Sequence, residues 1–484
     1  MKKSLLIFLC CISVTAFAQN DITWNMDMNL ANNTYSNMHP RMSLDGDGNP
    51  LVVWGRMSDQ AVFFSRWNGT AFTTPVKLNP SWLSVATASW MGPDIASHGD
   101  TVYVVVKRTP EASDTNHIFI FTSLNGGVSF NNPVELAIIG DSLSRFPTVT
   151  TDATGKPIVA YMKFNSSFGD SRWVVTKSTD YGTNFSIDKK ASGWAGSAEV
   201  CDCCPGAVVS EGNACAMLYR NNNNNIRDTW TGISSNNAST FTTGFALENH
   251  NWMQMSCPSS GPDGVIIGDT LYSIFMNGAI GGFRVYISKS LVSNNTLVST
   301  IGITGSIPGL SQQNYPRIAS DGYAMAIVWK QSVSGVAQLP VLFTNDITTG
   351  FPAAYDTVDL GDITNADVAL GNGKIFVVWQ DDNAGTVKYR SGTYTSSTTG
   401  LAPLVSEENS LFELYPNPVV GELNIISSAK EVFSATIFNS YGQKIISETA
   451  TSKIKLNTSG LIEGSYFVQF ISGDKMATRK FIKK

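Results

Sequence analysis

The chain is poor in charge. Asp, Glu, Lys and Arg make up 15% of its 484 residues, for a net charge of -5. No segment gathers Lys and Arg into the basic stripe that a nucleic-acid surface requires, so that class of partner is excluded. Histidine is rarer still, with four residues. Long apolar runs are missing except near the start, where Met1-Lys2-Lys3 precede an apolar run from Leu5 to Phe17 with small residues at Ala16 and Ala18. That run is shorter than the roughly 20 apolar residues of a spanning helix. Its flanks are those of a secretory signal peptide, residues 1–18, cut after Ala18. Leu9 stands before Cys10 where a lipid-attachment signal would place a small residue, and no later segment is long and apolar enough to span a bilayer. No transmembrane segment is therefore expected once the signal is removed. Disorder is excluded by a 43% hydrophobic content.

Gly, Asn, Ser and Thr are plentiful, as in short strands joined by many turns. One phrase recurs: Pro, x, apolar, small, x, an Asp/Gly turn, then an apolar run often ending in an aromatic. It reads HPRMSLDGDGNPLVVW (39–54), GPDIASHGDTVYVVV (92–106), FPTVTTDATGKPIVAY (146–161), CPGAVVSEGNACAMLY (204–219), GPDGVIIGDTLYSIF (261–275), YPRIASDGYAMAIVW (315–329) and ADVALGNGKIFVVW (366–379). From Pro40 through Pro93, Pro147, Pro205, Pro262 and Pro316 to Ala366 the steps are 53, 54, 58, 57, 54 and 50 residues. Each phrase predicts a hairpin and each is followed by a second one, so the unit is four strands in about fifty residues, the size of a propeller blade. The seventh copy runs out after its third strand near residues 387–392. The segment 22–30 is expected to supply the missing outer strand and close the ring. The expected fold is all-β: a seven-bladed propeller over 19–394, with six blades as the alternative, a linker over 395–410, and a small β-sandwich over 411–484.

Two motifs carry family resemblances. Ser178-Thr179-Asp180-Tyr181-Gly182-Thr183-Asn184-Phe185, and more loosely Ser123 to Phe130, lie between the third and fourth strands of their repeats. They resemble the Asp-box of sialidase-like propellers, in which Asp or Asn caps a tight turn; the role is structural, not catalytic. At the other end, Tyr415-Pro416-Asn417-Pro418, a later Gly-x-Tyr-apolar strand and the basic RKFIKK terminus resemble the C-terminal sorting domain of type IX secretion substrates. That resemblance implies the type IX machinery as a partner and a secreted or cell-surface destination reached through the periplasm.

Blade geometry locates a candidate site. Loops after the second and fourth strands share the upper face, opposite the Asp-boxes. Three segments meet there: Glu199 with Cys201, Cys203 and Cys204; Arg220 with Arg227 and Asp228; and Trp252 with Cys257. Removal of the signal leaves five cysteines, all between 201 and 257, with Cys215 expected as a buried spare thiol near the opposite face. In an exported chain the four others read first as disulfides that staple long loops. The second reading is a thiolate site for copper or zinc, with His250 as a nearby donor; otherwise no cofactor is expected. The pattern from Cys201 to Pro262 also resembles a group of exported sialidase-like propellers.

Sialidases grip a carboxylate with three arginines and use a Tyr nucleophile assisted by Glu. Arg145-Phe146-Pro147 resembles their Arg-Ile-Pro element, and Arg41, Arg220, Arg227, Arg284 and Arg317 are further candidates. Arg41 and Arg317 follow their prolines rather than precede them, glutamates are few, and the repeat number differs. The sequence therefore favours binding of a glycan or a surface protein through Arg145, Arg220, Arg227, Asp228, Trp252 and Glu199. An exo-acting glycosidase of sialidase type and a thiolate metal-site protein are the alternatives.

Overall fold

A computed structural model of the chain describes residues 21–31, 36–111, 117–136, 143–196, 200–395, 412–427, 432–439, 444–472 and 475–484. The expected signal peptide, Glu199 and nearly all of the expected linker lie outside the described residues. The chain divides into two compact units at Ser397/Thr398. Apart from a short 3-10 turn at Met57–Asp59, regular structure among the described residues is β, and no helix is long and apolar enough to cross a membrane.

The first unit is a seven-bladed propeller. Its inner strands are Asn37–Leu44, Asp94–His98, Leu143–Thr151, Ala207–Glu211, Asp263–Ile267, Leu310–Ser320 and Ile363–Gly371, each heading an antiparallel sheet that runs outward in chain order. Each inner strand packs beside the next, and the seventh beside the first, so the ring is closed and seven sheets replace the six-bladed alternative. The second strands are apolar almost throughout because neighbouring blades cover both of their faces: every side chain of Val102–Lys107 is buried. Hairpin turns follow from the Asp/Gly punctuation. Asp45 Oδ1 accepts the Asp47 and Asn49 amides at 3.0 and 2.8 Å, and Gly48 takes the positive φ, 79°, that the turn demands.

Turns between third and fourth strands repeat one hydrogen-bond pattern. Ser178 Oγ donates to Asp180 Oδ1 at 2.7 Å, which in turn accepts the Asn184 amide at 2.8 Å, while the Gly182 amide donates to Ser178 Oγ at 2.9 Å. Ser123 with Asn125, and Ser234 with Asn236, make the corresponding bonds. The Asn184 side chain, donating to Asp180 Oδ2 at 2.7 Å, together with the Asn184 amide and Ser178, holds the Asp180 carboxyl down at about 2, so it is a turn cap.

The N-terminal segment completes the last blade. Ile22–Trp24 and Met28–Asn29 pair antiparallel with Thr386–Tyr394, Ile22 opposite Tyr394 and Met28 opposite Tyr389. Closure continues across the seam to blade one, where Asp367 Oδ2 accepts the Met42 amide at 2.8 Å and Gln380 Oε1 the His39 amide at 3.0 Å.

The second unit stacks a three-stranded sheet (Phe412–Tyr415, Glu422–Ser427, Lys453–Asn457) on a four-stranded one (Phe433–Phe438, Lys444–Ala450, Gly464–Ser472, Lys475–Lys483). Leu423, Ile425, Phe433, Ile437, Leu456, Val468, Phe470 and Phe481 fill the core between them. Strict alternation over Lys453–Asn457 places Ile454 and Leu456 inside and the lysines out.

Candidate functional site

The three rim segments are tied to one another through the main chain. Cys201 donates its amide to the Arg220 carbonyl at 3.0 Å, Arg227 to the Trp252 carbonyl at 2.8 Å, and Gln254 to the Asn225 carbonyl at 2.9 Å. Arg220, 1% exposed, donates to the carbonyls of Ser260, Arg227 and Met276 at 3.2, 2.6 and 2.6 Å and lies 5.1 Å from the Trp252 ring centre. Asp228 accepts the amides of Asn251 and Trp252 at 2.8 and 2.9 Å. Arg227 donates to the Gln254 carbonyl at 2.7 Å and to Cys201 Sγ at 2.9 Å. Arg220, Arg227, Asp228 and Trp252 are thus brought together as expected, but all four are buried and their polar groups bind the rim itself. Arg145 stands nearby. It forms a two-pronged bond with Glu111 at 2.8 Å, donates to the Asp202 carbonyl at 3.1 Å, and covers the rings of Phe164 and Phe168.

Four cysteines converge on this rim. Cys203 and Cys257 form a disulfide, Cys201 Sγ lies 3.5 Å from Cys203 Sγ and 3.2 Å from Cys204 Sγ, and all four sulfurs fall within 4.8 Å of one another. Hydrogen bonding from Cys204, with the charges of Arg227 and Arg220, pulls the Cys201 thiol down against its burial. Burial pushes Cys204 up. His250 is not in the group, since its Nδ1 is engaged by Glu248 Oε2 at 2.7 Å. Cys215 is buried beside Ser234, at the end of its strand away from Arg220, and burial pushes it up to about 12.

A second feature lies on the axis. Because all inner strands converge there, the residues flanking the repeated prolines line one pocket that opens to solvent: His39, Arg41, Trp90, Asp94, Phe146, Tyr315, Arg317 and Asn365 among them. Four inner strands carry a β-bulge at this point, between Met38/Arg41, Arg145/Thr148, Asn314/Arg317 and Ile363/Ala366. In three of them the residue before the proline takes a positive φ: His39 at 55°, Phe146 at 54° and Tyr315 at 49°. A non-glycine residue preceding proline is doubly disfavoured there, and such strain gathers where side chains are aimed at a ligand.

The residues after the prolines form a charged floor. Arg317 is held by Asp263 at 3.3 Å and Asp367 at 3.0 Å. Those carboxylates, with Asp94, also accept amides from the next blade: Ile318, Met42 and Val149. Arg41, by contrast, makes no ion pair among the described residues. It donates to the Pro40 carbonyl at 2.8 Å, and burial together with Arg317 brings its guanidinium down to about 10. Beside it, burial and the two arginines keep the His39 imidazole well below its ordinary value, and His39 Nδ1 finds no hydrogen-bond partner among the described residues. Arg41 and Arg317 are the only candidates from the sequence in this pocket; His39, Trp90, Tyr315 and Asn365 are additions that the structure makes. The signal was available: they precede, or closely approach in the chain, the proline position of each repeat.

In the second unit the Tyr415–Pro418 segment clasps the last strand. Asn417 Oδ1 accepts the Ile482 amide at 2.9 Å, Asn417 Nδ2 donates to the Lys480 carbonyl at 3.2 Å, and the Val419 amide donates to the Ile482 carbonyl at 2.7 Å. Residues 413–484 match the family described as "Secretion system C-terminal sorting domain". The sorting domain marks the chain for export by the type IX route, to the cell surface or beyond. No curated protein matches the chain. Among solved structures, the α-L-arabinofuranosidase of Fusarium graminearum is similar at 12% identity and a TM-score of 0.42, covering 77% of this chain and 98% of its own. The sialidase of Trypanosoma rangeli is similar at 12% identity and a TM-score of 0.42, covering 92% and 84%.

Proposed function

We propose that the propeller is an exported recognition protein that binds an acidic glycan in its axial pocket. The observation that carries this reading is Arg41, a buried guanidinium facing the pocket without a carboxylate of its own. Asp367, Asp94 and Asp263 offset its charge from a distance without touching it, so what a carboxylate or sulfate on a sugar would add is direct contact, accepting two parallel bonds. Half-buried Trp90 and Tyr315 offer rings on which a sugar stacks, and His39 Nδ1 offers a polar edge for a hydroxyl. The rim arginines hold the upper loops in place around this pocket, and the third-to-fourth strand turns are read as Asp-boxes on the opposite face.

Glycosidase chemistry is the weaker reading. Asp94 is the one carboxylate among the pocket's lining residues, and it is occupied by Thr148 Oγ1 at 2.8 Å and the Val149 amide at 3.1 Å. Among the described residues no pair of free carboxyl groups faces the cavity, as acid and base roles would require. A glycan array followed by calorimetry tests the proposal. Binding of a carboxylated or sulfated oligosaccharide should weaken about tenfold or more in Arg41→Gln and in Trp90→Ala, a change of about 1.4 kcal/mol or more. Equal affinity in both variants, or hydrolysis of a fluorogenic sialoside, would overturn it.

A further inference from the structure

The rim cysteines have an arrangement that glycan binding does not use. Behind an exposed disulfide, Cys203–Cys257, lies a buried dithiol, Cys201 and Cys204, at the spacing Cys-x-x-Cys. We propose that these four sulfurs form a thiol–disulfide relay, in which one bridge passes between the buried and the exposed pair and is exchanged at Cys257 with a peptide or low-mass disulfide.

The distances order the steps. Cys201 Sγ is 3.5 Å from Cys203 Sγ, and the donor Arg227 Nη1, 2.9 Å away, favours its thiolate, the form that attacks disulfides. Attack forms the Cys201–Cys203 bond and breaks Cys203–Cys257. The electron pair leaves on Cys257, which is exposed and takes its proton from solvent. Cys204, 3.2 Å from Cys201, then closes the Cys201–Cys204 bond. Cys203 departs with the electron pair and receives the proton that Cys204 gives up. One bridge exists before and after, so no outside oxidant or reductant enters. The rim now presents Cys203 and Cys257 as a dithiol. When the Cys257 thiolate attacks an arriving disulfide, a mixed disulfide forms. Cys203 resolves it, re-forming Cys203–Cys257 and releasing the partner as two thiols, with two electrons transferred outward. Cys215 is remote from the group and takes no part, which makes it an internal control.

The full chain is oxidised, treated with one equivalent of a dithiol, quenched in acid after graded times, alkylated and mapped by mass spectrometry. Freed thiols should divide between the two pairs in the wild type, with Cys215 constant. In Cys201→Ser the bridge should stay on Cys203–Cys257. Arg227→Gln keeps all four sulfurs and should slow the redistribution about tenfold near pH 7 while leaving it intact at about pH 9, where the thiolate forms without help. Melting curves establish that each variant is folded. The relay is overturned if the bridge remains on one pair in the folded wild type, if Arg227→Gln exchanges at the wild-type rate near pH 7, or if native mass spectra of the isolated protein reveal a metal ion held by the four thiolates.

Discussion

Truncating Arg220 to alanine strands three main-chain carbonyls, those of Ser260, Arg227 and Met276, in a place water does not reach. Each unsatisfied group costs about 1–3 kcal/mol, so the denaturant midpoint should fall by the equivalent of about 3 kcal/mol or more. Lysine should not restore it, because a single ammonium cannot span three acceptors set by a planar fork. A midpoint within error of wild type would show that the carbonyls find other partners. The rim residues were legible in the sequence as a group, since the repeat fixes which loops share a face. Their direction was not, because whether a guanidinium turns to solvent or to a neighbouring carbonyl depends on loop conformations that the repeat leaves open. His250 gives a pH test at the same scale. The hydrogen bond that His250 Nδ1 donates to Glu248 outweighs burial and raises its imidazole above 6.5. More protons are therefore bound folded than unfolded, so the stabilisation is complete below about pH 6.5 and is lost as pH rises through the higher folded value. His250→Asn should flatten that alkaline decline in a melting-temperature profile.

Strands show a similar division between what pattern specifies and what pairing adds. The seven recurring phrases announced the inner hairpins because apolar alternation and Asp/Gly turns are local properties. The bulges beside Arg41, Thr148, Arg317 and Ala366 were invisible, because a bulge is a mismatch between two strands rather than a feature of either. That is why the axial pocket, which the bulges shape, is less legible in the sequence than the rim. In the sorting domain, Tyr-Pro-Asn-Pro was legible as a motif, while its clasp on the terminal strand required coordinates. Asn417→Ala removes the side-chain acceptor for Ile482 and the donor to Lys480. The expected cost is about 1–2 kcal/mol, with faster amide exchange at Ile482 and little change along Phe433–Phe438, which pairs elsewhere in its sheet. Unchanged exchange at Ile482 would remove Asn417 from this role.

At the scale of the whole ring, stability depends on a seam that joins the first strand to the last. Ile22 packs with Tyr394, Val341 and Phe343 between blades six and seven, while Leu30 packs with Trp54 and Tyr389 between blades seven and one. Trp24 donates to Asp356 at 3.3 Å and is covered by Arg390. Without this segment Thr386–Tyr394 becomes an open edge, and two inter-blade cores lose an apolar side chain each. Losses of that kind cost about 2–5 kcal/mol apiece. A chain beginning after Leu30 should therefore unfold at a clearly lower denaturant concentration and associate through the bare edge. Because Ile22 stands directly opposite Tyr394 in the antiparallel pair, a synthetic peptide of residues 22–30 should dock on that edge when added separately. It should raise the midpoint in proportion to the logarithm of its concentration once its site is saturated, whereas a scrambled peptide should not. A truncated chain as stable as the full one would mean that the ring is held by its axial bonds, Asp367 to Met42 and their counterparts, and that the outer strand serves only to cover an edge.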